Sequence, residues 1–236
     1  MKTVLVFTFS LLLFCSSIAK AEETWTITSL EWQPYSGSKL PGDGEAIQKL
    51  RELLKTENIQ LKVEFHPWER AKLLAKNKKY FGYFPAWPEE VEKGFISSTA
   101  IDISTISLIK LKSQAIDYKK TEDLFKKYRF GIVETYDYPE ELKRQFKTFP
   151  KKLNLAPDET SLLKMLEAKR FDFAITDPKV IYFQQAKQKT SELEVIEECL
   201  QQKLVLAVND TPENRERLKR LNQIIHSKLK SNRKTK

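Results

Sequence analysis

The strongest constraint on the fold is an alternation of strand-like and helix-like segments that runs along the chain, pauses, and starts again. Trp25, Ile27 and Ser29 alternate with Thr24, Thr26 and Thr28, which fits a strand with two unlike faces. Residues 45–55 place Ile47, Leu50 and Leu54 on one helical face. Leu61, Val63 and Phe65 alternate again. Pro67 stands where a helix begins, and Trp68, Ala71, Leu74 and Ala75 carry that helix to Asn77. Residues 80–85 read as a third strand. Parallel strands need a crossover between them, so this β-α-β-α-β order calls for a mainly parallel sheet with helices on its faces.

Residues 101–112 are a long β-branched run, suited to crossing from one lobe to another. The alternation then resumes. Helices are expected at 122–128, 139–149, 160–170 and 178–187, and strands at 130–134, 152–155, 171–176, 193–196 and 204–208. A last helix starts near Pro212 and carries Leu218, Leu221, Ile225 and Leu229 on one face. The fold class is therefore α/β in two lobes with strand crossovers. Such a fold predicts a cleft between the lobes, with ligands beyond the carboxyl ends of the strands. A hydrophobic content of 41% excludes a disordered chain, and only 6 glycines exclude a collagen-like one. Three of those glycines, Gly37, Gly42 and Gly44, lie just after the first strand and concentrate backbone freedom there.

Residues 1–21 combine the basic Lys2, a 12-residue apolar core from Val4 to Cys15, and the small-x-small site Ala19-Lys20-Ala21. They read as a cleaved secretory signal peptide and place the protein in the periplasm. Cleavage leaves 215 residues, and the net charge falls from +9 to +7 because Lys2 and Lys20 depart. The remaining charge is spread over helices and a basic tail at 228–236, with no basic stripe interleaved with aromatics, so no nucleic-acid partner is expected. Cys199 is the one cysteine left, which excludes an intrachain disulfide. With two histidines and no metal-ligand spacing, neither a metal nor another cofactor is expected.

Several residues at strand ends carry chemistry. Glu31-Trp32-Gln33-Pro34-Tyr35 follows the first strand; Trp32 and Tyr35 either face a ligand by stacking and cation–π contact or simply pack a loop. Arg70, in the turn that opens the second helix, either grips a carboxylate or lies on a solvated face. Trp87, fixed between Pro85 and Pro88, is a wall or a lid. Thr135 and Tyr136 offer hydroxyl and backbone donors where a strand runs into a helix start. Asp177 precedes Pro178, and is either that helix's N-cap or a carboxylate for a ligand ammonium. No nucleophile elbow, phosphate loop or HExxH motif occurs, so no catalytic residue is assigned.

In order, these phrases are E-W-x-P-Y, P-W-x-R-A, F-P-A-W-P, G-I-V-E-T-Y-x-Y-P and F-D-F-A-I-T-D. Together they resemble the extracellular solute-binding proteins of family 3, the polar amino-acid-binding type of periplasmic binding protein. The resemblance covers nearly all of the mature chain. It implies the type II two-lobe fold with two crossing hinge strands. Lobe 1 would comprise 22–108 plus 206–236, and lobe 2 would comprise 109–205. It matches Trp32 to the aromatic over the ligand, Thr135 and Tyr136 to the loop meeting the ligand carboxylate, and Asp177 to the acid receiving the α-ammonium. The Arg that family members use for the α-carboxylate is missing from 89–97, which leaves Lys93 and Arg70 as candidates to replace it.

The resulting expectation is a monomeric periplasmic protein that captures a small polar or amino-acid-like ligand by hinge closure. An ABC permease or a sensor protein would be its partner. The alternative on the same scaffold is a dehydratase-like enzyme with Glu134 or Asp177 as general acid. One cleft lined by Trp32, Arg70, Trp87, Tyr136 and Asp177 is predicted, and Arg70 and Asp177 on outer faces would refute it.

Overall fold

The computed structural model describes residues 23–234, with side chains through 231. The signal-peptide reading of 1–21 lies outside the described residues. Among them, no helix is long and apolar enough to cross a membrane.

The first series folds as β1 (Glu23–Ser29), α1 (Glu45–Lys55), β2 (Ile59–Phe65), α2 (Trp68–Ala75) and β3 (Gly82–Ala86). β2 and β3 lie parallel on either side of β1. Trp25 and Ile27 are buried between the sheet and its helices, and α1 buries Ile47, Leu50 and Leu54 on the face its spacing predicted. α2 ends two residues before Asn77, and β3 begins two residues after Tyr80. At Gly82 β3 runs so close to its neighbour that a Cβ would sit 2.0 Å from the Ala207 carbonyl oxygen, so only glycine fits.

A short strand, β4 (Phe95–Ser97), was not anticipated from the sequence. β5 (Asp102–Leu111) leads into the second series. This comprises α3 (Thr121–Lys127), β6 (Phe130–Val133), α4 (Glu140–Thr148), β7 (Leu153–Ala156), α5 (Glu159–Glu167), β8 (Phe173–Thr176) and α6 (Pro178–Gln188). β6 lies parallel to both β7 and β8. Ile109, Leu162, Leu163, Leu166, Phe171 and Ile181 form a core of their own on this side.

The two strands expected at 193–196 and 204–208 are a single strand, β9 (Leu193–Asn209). Its middle carries Glu197, Glu198, Gln201, Gln202 and Lys203, which erase the apolar alternation. The backbone ladder to β5 nevertheless runs from Asp102↔Leu204 to Leu111↔Leu193. The sheet order is β2-β1-β3-β9-β5-β8-β6-β7, with β4 also pairing with β9. β5 and β9 are thus an antiparallel ribbon joining two parallel halves. The chain closes with α7 (Pro212–Lys234), whose Leu218, Leu221 and Ile225 are buried while Leu229 is exposed.

Candidate functional site

The carboxyl ends of the parallel strands meet over the ribbon, and the turns that follow them form a cleft. On the first side, residues 30–37 fold back on themselves: the Trp32 N–H donates to the Ser36 carbonyl at 2.8 Å and the Ser36 N–H to the Trp32 carbonyl at 3.1 Å. The free N–H groups at the start of α1 then find acceptors in this turn, Glu45 donating to the Pro34 carbonyl and Ala46 to that of Tyr35. Gly44 makes this approach possible, with φ at +104° and a virtual Cβ only 2.6 Å from the Tyr35 carbonyl oxygen. The turn is thereby fixed, and Trp32 stacks on Tyr35 with ring centroids 4.6 Å apart.

Trp87, after β3, donates its indole N–H to the Ser104 hydroxyl on β5 at 2.9 Å. From the second side Tyr136 enters edge-on, 6.5 Å from Trp32 and 5.5 Å from Trp87, and Tyr138 lies 5.8 Å from Trp87. Aromatic rings from both halves therefore fill the floor. The space left among Trp32, Trp68, Trp87, Glu90 and Tyr136 is about 10 Å³, the lower limit for one water. A groove of about 740 Å³ adjoins it through Leu30, Trp68 and Tyr136. Its further lining includes Glu31, His66, Glu69, Thr135, Asp158 and Glu159.

Besides these ring contacts, three polar side-chain pairs tie the halves together. The Tyr35 hydroxyl donates to Asp177 Oδ2 at 3.0 Å, Gln184 Nε2 donates to Gln33 Oε1 at 3.2 Å, and Lys179 pairs with Glu45 at 3.0 Å. Asp177 is almost fully engaged. Oδ2 also accepts from the Thr105 N–H at 3.0 Å, and Oδ1 caps α6 through the N–H groups of Lys179 and Val180. Burial nonetheless raises its pKa.

Two further carboxyls are buried here. Glu90 accepts from the Trp68 indole at 2.8 Å on one oxygen and from the Trp87 N–H at 2.9 Å on the other. Burial pushes its pKa up to about 7, against the pull of those donors and of Lys72. Glu159, the first residue of α5, accepts from the Thr176 hydroxyl on Oε1 at 2.6 Å. The Tyr136 hydroxyl beside it favours its ionised form, yet no donor meets Oε2 with hydrogen-bond geometry. Burial, with Asp177 and Asp158 nearby, pushes the Glu159 pKa up to about 8. The Trp32 indole N–H, also buried, likewise has no acceptor.

The structure thus brings Trp32, Trp87 and Tyr136 together and sets Thr135 in the groove. Tyr35 and Asp177 lie behind the floor as a tie between the halves, so Asp177 is an N-cap and a bridge at once. Arg70 departs from the predicted cleft. It is exposed on α2, one residue beyond the groove-lining Glu69 and outside the lining of either space. α2 turns Trp68, Ala71 and Ala75 inward, and the helical repeat sends Arg70 outward. Lys93 is exposed as well, so neither cation replaces the missing Arg in this arrangement. Of the two acids considered as a general acid, Glu134 is exposed and Asp177 is occupied by hydrogen bonds on both oxygens. Glu90, Glu159 and Trp68 were missed as site residues. Glu90 closes the short 3-10 turn 88–90 and Glu159 opens α5, and at either place an acid normally reads as a solvated charge.

No family model matches the chain, and no curated protein does. Solved structures do resemble it. A histidine kinase sensor domain with similarity to periplasmic binding proteins superposes with a TM-score of 0.75 at 15% identity, over 90% of this chain and 93% of that one. An ancestral arginine-binding protein bound to arginine gives 0.71 at 15% identity, over 88% and 92%. An ancestral amino-acid-binding protein, a precursor of cyclohexadienyl dehydratase, gives 0.68 at 17% identity, over 88% and 90%. The fold is that of the two-lobe periplasmic binding proteins.

Proposed function

We propose that the chain is a periplasmic solute-binding protein that captures a small polar or amino-acid-like ligand between residues 22–108 plus 206–236 on one side and 109–205 on the other. The observation that carries this reading is the convergence of both halves on one aromatic and acidic cleft above the β5–β9 ribbon, tied by Tyr35 to Asp177 at 3.0 Å. A ligand touching both halves stabilises the closed arrangement over an open one, so binding shifts that equilibrium and no bond is made or broken. Thermal denaturation against a library of amino acids, amines and organic acids tests it. A ligand is expected to raise the melting temperature, and silence across the library at millimolar concentration overturns the reading.

Delivery to an ABC importer is one use of such capture. The sensor-domain likeness, at a TM-score of 0.75, supports a second use in which the closed form signals to a partner protein. Genes adjoining this one separate the two: a permease and ATPase support import, a sensor kinase supports signalling.

A further inference from the structure

We infer that the cleft takes a small organic cation, such as an amine or guanidinium compound, and that it offers a ligand carboxylate neither a Lys nor an Arg. The inference rests on the solute-binding reading and narrows it.

The first observation is the charge of the lining. Among the described residues, the two adjoining spaces present Glu31, Glu69, Glu90, Asp158 and Glu159, and neither Lys nor Arg. This stands against a chain with 41 Lys+Arg and 32 Asp+Glu, so the lining gathers acids where the molecule as a whole carries an excess of basic residues. Lys72, outside the lining, is engaged by it: its Nζ lies 2.7 Å from Glu69 and 3.6 Å from Glu92, and 5.7 Å from the Trp68 ring centre, so Glu69 already has a cation.

The second observation is independent of the acid count. Glu159 is only 6% exposed, lines the groove, and has Oε2 without a donor. A buried carboxyl oxygen left unpaired costs free energy that a ligand N–H would recover. The other acids have less to offer. Glu90 has a donor on each oxygen, Asp158 caps α5 through the Ser161 N–H, and Glu31 accepts from Ser38 and Gln33. Rings supply the remaining contact. Trp68 and Tyr136 border the groove, and a cation over an aromatic face is favoured most where water is excluded.

The test compares agmatine, cadaverine and tyramine with arginine and succinate by calorimetry, on the wild type and on Glu159→Gln. Agmatine is arginine without its carboxylate, so the pair isolates that group. The expected result is binding of at least one of the amines, agmatine no weaker than arginine, and a loss of roughly tenfold or more in amine affinity in E159Q. The variant keeps an oxygen for Thr176, and its unchanged or higher melting temperature without ligand would separate lost binding from lost folding. Binding confined to carboxylates, or amine binding that E159Q leaves intact, overturns the ligand class while leaving solute binding standing. Failure of every compound to bind counts against solute binding itself.

Discussion

The two walls of the cleft each bury a carboxyl, and they treat it differently. On the first wall Glu90 holds the Trp68 indole and the Trp87 N–H, one on each oxygen, and so fixes α2 against the turn after β3. On the second wall, where Glu159 lines the groove, it is held through Oε1 alone, and Oε2 is buried without a donor. Burial raises both pKa values, so burial alone does not mark a binding group. Unused hydrogen-bonding capacity does: a saturated acid braces its wall, while an unsaturated one keeps a contact in reserve.

Truncation tests this contrast most sharply. Glu90→Ala strands two buried donors and opens a void, and is expected to cost about 3 kcal/mol in urea denaturation. Glu159→Ala frees one hydroxyl, that of Thr176, which can rotate, and is expected to cost about 1 kcal/mol. Equal losses would break the comparison.

The pH dependence comes next in size. Both folded pKa values lie above the usual 4.5, so the neutral acids favour the fold. Their contribution is complete below about pH 4.5 and is lost as pH rises through about 7 for Glu90 and about 8 for Glu159. Stability should therefore fall by ~2 kcal/mol or more between pH 5 and pH 9. The groups facing Glu159 are Tyr136, Thr176, Asp177 and Asp158. None of them is a cation that would hold the ionised form. Glu159→Gln should flatten the upper part of the profile in a melting series, and a profile unchanged by E159Q would place the titrating group elsewhere.

Smaller effects separate the walls from the ties between them. Trp87→Phe removes the bond to Ser104 and is expected to cost about 1 kcal/mol by chemical denaturation. Tyr35→Phe removes a donor that Asp177 can spare, because the Thr105, Lys179 and Val180 N–H groups remain. A loss of about 0.5 kcal/mol is expected, together with a larger radius of gyration in solution scattering as the halves separate. A compact Y35F would show that this contact does not hold the cleft closed.

Much of the fold was legible because the signals that specify it are local. Alternation at Trp25 and Ile27, helical spacing at Ile47, Leu50 and Leu54, and Pro178 after Asp177 each survive in the structure where the sequence placed them. The middle of β9 was not legible, since strands at the junction of two halves carry polar side chains and are held by their ladder rather than by an apolar face. The site was only partly legible. Trp32, Trp87 and Tyr136 announce themselves as aromatics beside prolines and strand ends. Glu90 and Glu159 resemble any acid in a helical turn until the folded chain buries them. Arg70 shows the reverse error, a residue attractive by type that α2 turns toward solvent.

The continuous β9 has a mechanical consequence. Two bodies hung on a flexible linker tumble freely, whereas these are joined by a ladder that resists stretching and shear along its whole length. Its irregularities fall between Ile106 and Ser107 and between Leu108 and Ile109, next to where β5 begins to pair with β8. Bulges bend and twist a ribbon locally, so compliance is concentrated in that short stretch. A ribbon of this kind favours torsion about one axis over free tumbling, so any relative motion of the halves would resemble the wringing of a strip more than the swing of a loose jaw.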